Sequence, residues 1–251
     1  MNIHSTHIIG KLGIKPSTKK TVLEKINKYM FGYEEMLHIV SINPENIVEA
    51  QKNDEFRTIL ELSGIQLIDG VGVSMALGLK GISEFDRITG VDLFQELLEN
   101  IGKGRSSALL IGGKQGLAEG IAQCYSKKFP HALYLGTTGF ADVRHPAEDE
   151  KKAIFSIVVA RKPRFLFVAF GSPEQESWIW SNRKLFQGMI CMGVGGGFDF
   201  VSGSVQRAPN LLRRLGLEWL FRLFTQPWRW KRQTRLLEFI WLVATEGLKK
   251  N

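Results

Sequence analysis

Cysteine, histidine and long apolar runs are scarce in this chain of 251 residues. Its two cysteines, Cys124 and Cys191, exclude a disulfide framework, and we expect both to be buried thiols of a reducing compartment. The longest apolar run, Leu236–Ala244, is interrupted by Glu238 and falls well short of the roughly 20 residues that span a bilayer. The amino terminus has no cationic stretch ahead of an apolar run, so we expect no signal peptide and a cytosolic protein.

Several catalytic chemistries also lack their usual residues. The five histidines show no metal-ligand spacing, and no Asp-x-Asp pair is present to hold a nucleotide-bound divalent metal. No Gly-x-Ser-x-Gly stretch predicts a hydrolase triad. These absences predict a metal-independent enzyme, and we expect no cofactor.

Positive charge and tryptophan are concentrated at the end of an otherwise ordinary composition. Hydrophobic residues make up 44% of the chain, enough to bury a core, which excludes a mainly disordered protein. The formal charge is +8, and residues 207–251 carry +7 of it together with four of the six tryptophans. Such a segment suits anionic lipid headgroups or nucleic acid, or is simply a solvated helix face with a subunit contact. The tryptophans favour the membrane surface, and we expect no nucleic-acid partner.

Continuous apolar runs of strand length alternate with helical patterns along residues 37–206. Such runs are typical of strands buried on both faces of a parallel sheet. The alternation predicts a Rossmann-like α/β fold with mostly parallel strands flanked by helices. The predicted strands are Leu37–Ile42, Ile65–Ile68, Ala108–Ile111, Ala132–Leu135, Phe165–Phe170 and Met189–Val194. The predicted helices in this range are Pro44–Leu62, Asp92–Ile101, Gly116–Phe129, Glu148–Ala160 and Pro173–Leu185, and a further helix, Thr18–Met30, precedes the first of these strands.

The pattern changes near residue 207, where a helical appendage begins. Four apolar residues fall on one face of a single helix that Pro227 ends, and a second helix begins near Trp228; the four are Leu212, Leu215, Trp219 and Leu223. We therefore divide the chain into an α/β domain, residues 1–206, and a basic, Trp-rich helical appendage, residues 207–251.

Polar and glycine-rich stretches follow five of the predicted strands. Carboxyl ends of parallel strands share one edge of a sheet, so these stretches predict a single ligand pocket. They are Ser41-Ile42-Asn43-Pro44, Asp69-Gly70-Val71-Gly72, Gly112-Gly113-Lys114-Gln115-Gly116, Gly171–Glu176 and Gly193–Phe200.

Each stretch by itself allows two interpretations. Gly112–Gly116 either lets backbone N–H groups approach a phosphate or forms a tight turn. Gly193–Gly197 either allows the backbone to approach a ligand closely or allows a helix to pack closely on a strand. Asp69 is a general base or a helix N-cap. Asp199 accepts hydrogen bonds from a ligand or holds its loop, and Gln175 contacts a ligand or makes a capping contact.

Taken in order along the chain, these five stretches and three further blocks resemble a known family. The fifth stretch contains Gly193-Val194-Gly195-Gly196-x-Phe198-Asp199. The further blocks are Arg87-x-x-Gly90-x-Asp92-Leu93, Arg207-Ala208-Pro209 and Leu217-Glu218-Trp219-Leu220-x-Arg222. Their order and content resemble the WecG/TagA/CpsF family of bacterial glycosyltransferases, over about residues 37–232. One departure is Phe140, which stands where the family commonly has tyrosine, so a phenolic hydrogen bond to the donor is not expected here.

The resemblance implies an inverting, metal-independent transfer of an N-acetylmannosamine-type sugar from UDP. The acceptor it implies is undecaprenyl-diphosphate-linked N-acetylglucosamine, in teichoic acid or other surface polysaccharide synthesis. It also implies a peripheral protein on the inner face of the cell membrane, bound through residues 207–251, and the apolar appendage is compatible with a homo-oligomer.

The resemblance further assigns roles to residues. The catalytic base falls on Asp69, and the arginines that neutralise the diphosphate fall on Arg222, Arg229 and Arg232. Substrate-binding positions fall on Ser41, Asn43, Arg87, Gly113, Gln175, Gly195 and Asp199.

Two other functions are compatible with parts of the sequence. A non-enzymatic membrane-binding module explains the basic tail but not the polar pocket. A dinucleotide-dependent oxidoreductase fits the alternating strands, but the sequence has no proper Gly-x-Gly-x-x-Gly fingerprint.

Overall fold

The computed structural model describes residues 6–32, 34–214, 216–225 and 230–248. The chain opens with an antiparallel hairpin, β1 (His7–Ile9) and β2 (Leu12–Ile14), followed by α1 (Lys19–Met30). The hydroxyl of Thr18 caps α1 by accepting a hydrogen bond from the N–H of Thr21.

A six-stranded sheet forms the centre of the molecule, with every neighbouring pair parallel. Its strands are β3 (Leu37–Ile42), β4 (Ile65–Ile68), β5 (Ser107–Gly112), β6 (Leu133–Thr137), β7 (Phe165–Ala169) and β8 (Ile190–Gly193). Their order in space is β4-β3-β8-β7-β5-β6. The predicted strands and the predicted α/β class are therefore confirmed.

Helices cover both faces of this sheet. They are α2 (Pro44–Lys52), α3 (Asp54–Leu62), α4 (Val71–Leu79), α5 (Gly90–Lys103), α6 (Leu117–Lys128), α7 (Glu148–Arg161), α8 (Glu174–Ser181) and α9 (Gly197–Val201). Successive side chains of β3 show the two layers: Leu37 and Ile39 belong to one apolar cluster, while Val40 and Ile42 belong to another. Because both faces of the sheet are covered by buried apolar clusters, the strands are continuously apolar in sequence.

Three predictions about this domain were wrong in detail. The helix predicted over Pro44–Leu62 is two helices, because Asn53 has an extended backbone and caps α3 through its side chain. The helix predicted over Pro173–Leu185 ends at Ser181. Cys124 is exposed on α6, whereas Cys191 is buried in β8 as expected.

The segment predicted as an appendage contains α10 (Asn210–Arg214), α11 (Glu218–Thr225) and α12 (Trp230–Leu248), and we keep the name appendage for residues 207–251. The single helix predicted before Pro227 is wrong: Gly216, with a φ of 72°, separates α10 from α11. A left-handed backbone of this kind cannot continue a right-handed helix. Residues 215 and 226–229, among them Pro227 and Trp228, lie outside the described part of the chain.

Helix α12 packs against α2 and closes one apolar cluster of the α/β domain. Phe239 is buried there, and a Cβ on Gly72 would lie only 3.2 Å from its ring. Two ion pairs also join α2 to α12: Lys52 with Glu238 at 2.5 Å, and Glu49 with Arg235 at 3.1 Å. In the described ranges, no helix combines the length and the apolar character that a membrane crossing requires.

Candidate active site at the carboxyl edge of the sheet

The polar stretches predicted from the sequence follow strands that lie side by side. Because the strands are parallel, their carboxyl ends meet at one edge, and β3 lies there between β4 and β8. Asp69 follows β4, Asn43 follows β3 and Gly195 follows β8. The sheet order therefore brings together residues that are far apart in the chain, where open α/β sheets bind their ligands.

The half-buried carboxylate of Asp69 faces the beginning of α5. Its Oδ2 accepts a hydrogen bond from the N–H of Gly90 at 3.0 Å, and its own N–H donates to Ile42 O at 2.9 Å. The N-cap interpretation is wrong, because Gly70, with a φ of 101°, occupies the cap of α4 without a side-chain bond. A carboxylate held in this direction at the ligand-binding edge of the sheet is placed to accept a proton from a ligand hydroxyl, as a general base does.

Ser41 lies beside the same carboxylate, at the end of β3. A Cβ built on Gly90 would be 2.8 Å from the hydroxyl oxygen of Ser41 and 3.5 Å from Oδ2 of Asp69. Only glycine allows the first turn of α5 to approach both groups so closely. A hydroxyl and a carboxylate thus share one helix N-terminus, although their residues are 28 positions apart in the sequence.

Asn43 caps α2, since its Oδ1 accepts a hydrogen bond from the N–H of Asn46 at 2.8 Å. Asn46, which sequence reasoning missed, is buried and ties two strand ends together. Its Nδ2 donates to Ser41 O at 2.8 Å, and its Oδ1 accepts from the hydroxyl of Ser172 at 2.9 Å. An asparagine on the inward face of an amphipathic helix was the available signal, but its partners are not readable from the sequence.

Gln175 holds the glycine-rich loop that follows β8. Its Oε1 accepts a hydrogen bond from the N–H of Gly195 at 2.9 Å, and its Nε2 donates to Oε1 of Glu176 at 2.8 Å. A Cβ on Gly193 would lie 2.6 Å from Nε2, so the amide packs directly against the backbone of β8. Both ends of the Gln175 amide therefore have partners within the protein, which its sequence interpretation as a ligand contact did not anticipate.

Glu176 is the buried acid of this site and was also missed as a functional candidate. Its side chain is 1% exposed, and burial raises its pKa to about 7, although the hydrogen bond from Gln175 opposes the rise. A carboxyl in this position changes protonation near neutral pH.

The two glycine-rich loops meet at the far side of the site. Gly112, Gly113 and Gly116 all have a positive φ, which explains the glycines after β5. Lys114 of that loop forms an ion pair with Asp199 in α9, at 3.5 Å between Nζ and Oδ1. Asp199 thus links its loop to a neighbouring one.

Arg87 lies at the border between the α/β part of the chain and the appendage. Arg87 donates from Nη2 to Arg213 O at 2.9 Å, so it contacts the appendage rather than standing alone in the pocket. Arg222 lies on α11 and Arg232 on α12, and their side chains lie outside the described part of the structure. Arg229 falls wholly outside it.

The described ranges contain no group of three His, Cys, Asp or Glu residues arranged to hold a metal ion. The site therefore offers carboxylate, hydroxyl and amide groups together with backbone N–H donors. Such a set suits a ligand rich in hydroxyl groups and acceptor oxygens.

Two comparisons relate this chain to known proteins. A family model described as "Glycosyl transferase WecG/TagA/CpsF family" matches residues 7–251. A protein of Bacillus subtilis (strain 168), named N-acetylglucosaminyldiphosphoundecaprenol N-acetyl-beta-D-mannosaminyltransferase, is 31% identical over 246 residues. That alignment covers 98% of this chain and 93% of the relative.

Proposed function

The chain belongs to the WecG/TagA/CpsF family of glycosyltransferases, and from this premise we propose a specific reaction. An N-acetylhexosamine-type sugar, N-acetylmannosamine or its uronic acid, is transferred from UDP to undecaprenyl-diphosphate-linked N-acetylglucosamine. The observation that carries the proposal is the carboxylate of Asp69 beside Ser41 at the N-terminus of α5. Family membership makes the protein an enzyme and sets aside the oxidoreductase and the non-enzymatic module.

Asp69 serves as the general base in this proposal. The acceptor hydroxyl attacks the anomeric carbon from the face opposite UDP, so the new glycosidic bond forms as the bond to the phosphate oxygen breaks and the configuration inverts. The hydroxyl proton passes to the Asp69 carboxylate, and the electron pair of the broken bond leaves with UDP. Positioned proton transfer of this kind contributes about 10²–10⁴-fold to the rate.

The negative charge that develops on the departing UDP needs donors on the opposite side of the pocket. The resemblance gives this role to Arg222, Arg229 and Arg232, and guanidinium groups suit a diphosphate because they bind it bidentately. Gly113 and Asp199 would line the donor site near the glycine-rich loops. The N–H of Gly195 is already engaged by Gln175, so Gly195 would serve by letting backbone approach the ligand.

The outward side of the appendage supports attachment to the inner membrane surface. Leu237, Ile240 and Trp241 lie on one face of α12, opposite buried Phe239, and are each more than half exposed. Met75 on the neighbouring helix α4 is also exposed. An amphipathic helix with exposed indole and aliphatic groups binds bilayers in the interfacial plane, where a lipid-linked acceptor would be found.

The test is release of UDP from UDP-N-acetylmannosamine with a lipid-diphosphate-N-acetylglucosamine acceptor, in the presence of EDTA. We expect release that depends on the acceptor, and a fall of about 10²-fold or more in Asp69→Asn with UDP binding retained. Asp54→Asn is the matched control, because Asp54 is an exposed carboxylate paired with Arg57 on α3. Full activity in Asp69→Asn would overturn the assignment of Asp69 as the base. UDP release that does not depend on the acceptor would overturn the proposed reaction.

A further inference from the structure

Residues 87–92 contact both the candidate base and the appendage. On one side, the N–H of Gly90 donates to Oδ2 of Asp69 at 3.0 Å. On the other side, Nη2 of Arg87 donates to the carbonyl of Arg213 in α10 at 2.9 Å. Residues 87–90 therefore connect Asp69 to the appendage, through the backbone of Gly90 and the side chain of Arg87.

Arg207 makes a second, charged connection between these parts. Its Nη1 donates to Oδ1 of Asp92, in the first turn of α5, and its Nη2 lies 3.5 Å from Oε2 of Glu218. The guanidinium also lies over the ring of Phe200, with 5.8 Å between its carbon and the ring centroid. Arg207 therefore bridges a carboxylate of the α/β domain and a carboxylate of the appendage.

The Arg207–Glu218 ion pair of this bridge is largely shielded from solvent. The side chains of Arg207 and Glu218 are each less than one-fifth exposed, so their attraction is only weakly screened. Burial alone would raise the pKa of Asp92, but hydrogen bonds from Arg207 and Thr89 and the nearby charges of Arg207 and Arg213 hold it below its usual value. Asp92 is therefore ionised at neutral pH.

Glu218 is also the first residue of α11, the helix on which Arg222 lies one turn later. Just before it, Gly216 lies against the side chain of Val71 at the start of α4, where an added Cβ would be 2.5 Å away. The start of α11 is thus fixed by packing on one side and by Arg207 on the other.

We propose that Arg207 is a positioning residue for sugar transfer. By holding Asp92 and Glu218 together, it sets the place of α11, and with it the backbone of Arg222, relative to Asp69. The expected effect on catalysis rests on the proposed function. The contacts of Arg207 with Asp92 and Glu218 do not depend on which reaction the protein catalyses. Diphosphate stabilisation is sensitive to displacements of about 1 Å, so a released α11 should slow the chemical step.

The first arm of the test is kinetic. Arg207→Gln should lower kcat by about tenfold or more and UDP affinity by a smaller factor, because the proposed role of Arg222 is to stabilise the charge that develops as UDP leaves. Arg57→Gln is the matched control: it removes an arginine from a 2.6 Å pair with Asp54 on α3 and should leave kcat unchanged. An unchanged kcat in Arg207→Gln would overturn the proposal.

The second arm separates positioning from a general loss of structure. If Arg207 acts by placing Arg222, then Arg222→Gln should cost much less in an Arg207→Gln background than in the wild type. Strictly additive losses would overturn the proposal. Arg207→Lys, which keeps the charge but not the forked geometry, should recover part of kcat.

The third arm needs no reaction at all. Backbone hydrogen exchange over residues 207–225 should be faster in Arg207→Gln than in the wild type, while exchange over residues 37–42 stays unchanged. Should Arg207→Gln fail to fold, Glu218→Gln removes only the appendage side of the bridge and should give the same pattern. Faster exchange supports the bridge even where the transfer assay shows that the proposed function has failed; unchanged exchange overturns it.

Discussion

The backbone N–H of Gly90 donates a 3.0 Å hydrogen bond to Oδ2 of Asp69, across the gap between the end of β4 and the start of α5. This bond fixes the direction of the carboxylate at the N-terminus of α5. The absence of a side chain at Gly90 makes the approach possible, because Ser41 fills the remaining space. The arrangement of Asp69 and Ser41 therefore depends on glycine at position 90, which has no side chain.

Replacing Gly90 by alanine tests this dependence. The new Cβ would lie 2.8 Å from the Ser41 hydroxyl oxygen, so Ser41 or α5 must move, and kcat should fall by about tenfold or more. Without the Ser41 hydroxyl the clashing atom is gone, so adding Gly90→Ala to Ser41→Ala should cost less kcat than Gly90→Ala costs in the wild type. Steady-state kinetics on the three variants measures this.

Gly120→Ala is the control for that experiment. Gly120 lies within α6 with no atom closer than 4 Å to an added Cβ, so alanine should stabilise the helix by about 0.5–1 kcal/mol and leave kcat unchanged. Equal kinetics for Gly90→Ala and Gly120→Ala would show that the approach of α5 is not critical.

Glu176 should make the stability of the protein depend on pH near neutrality. Its pKa is raised from 4.5 to about 7 by burial, so between these values the folded protein holds a proton that the unfolded chain has released. The stabilising contribution is therefore complete below about pH 4.5 and is lost as the pH rises through 7. In this interval the free energy of unfolding should fall by up to about 1.4 kcal/mol per pH unit from this group.

Urea denaturation between pH 5 and pH 8.5 measures this slope. Glu176→Gln cannot titrate, so the difference between wild type and variant isolates the contribution of Glu176 from that of the other groups. A difference that stays constant over this range would contradict the assignment of a raised pKa.

The exposed face of α12 should determine binding to lipid vesicles. Trp241 is 70% exposed, so Trp241→Glu should leave the fold intact and weaken co-sedimentation with anionic phospholipid vesicles by about tenfold or more. Both the lost indole and the added negative charge act in that direction. Val159→Glu on α7, at 60% exposed, is the matched control, and an equal loss in both variants would argue against a specific face.

Some of the positive charges of the appendage form ion pairs with the α/β domain. The sequence places ten cations in residues 207–251. Arg207 and Arg213 are paired with Asp92, and Arg235 is paired with Glu49. Charge that composition assigns to a membrane surface is thus partly engaged in holding the appendage to the α/β domain, because ion-pair partners depend on tertiary contacts.

Local pattern determined the parallel strands of this protein. Strands such as Leu37–Ile42 are buried on both faces, so their sequences are continuously apolar, and the glycine-rich stretches after them marked the edge at which ligands bind. The order of motifs also indicated the family, which a match over residues 7–251 confirms. The strand and loop signals are local, since each is encoded within a few neighbouring residues, whereas the family signal is the order of such segments along the chain.

Tertiary structure alone decided how those segments meet. The sheet order placed β3 between β4 and β8. A hydrogen bond of Asn46 then joined strand ends 126 residues apart, and one of Gln175 joined the ends of β7 and β8. The break at Gly216 and the bridge made by Arg207 likewise depend on partners distant in sequence. A hydrogen bond or an ion pair needs two groups within a few ångströms, and only the folded chain specifies which distant groups come that close.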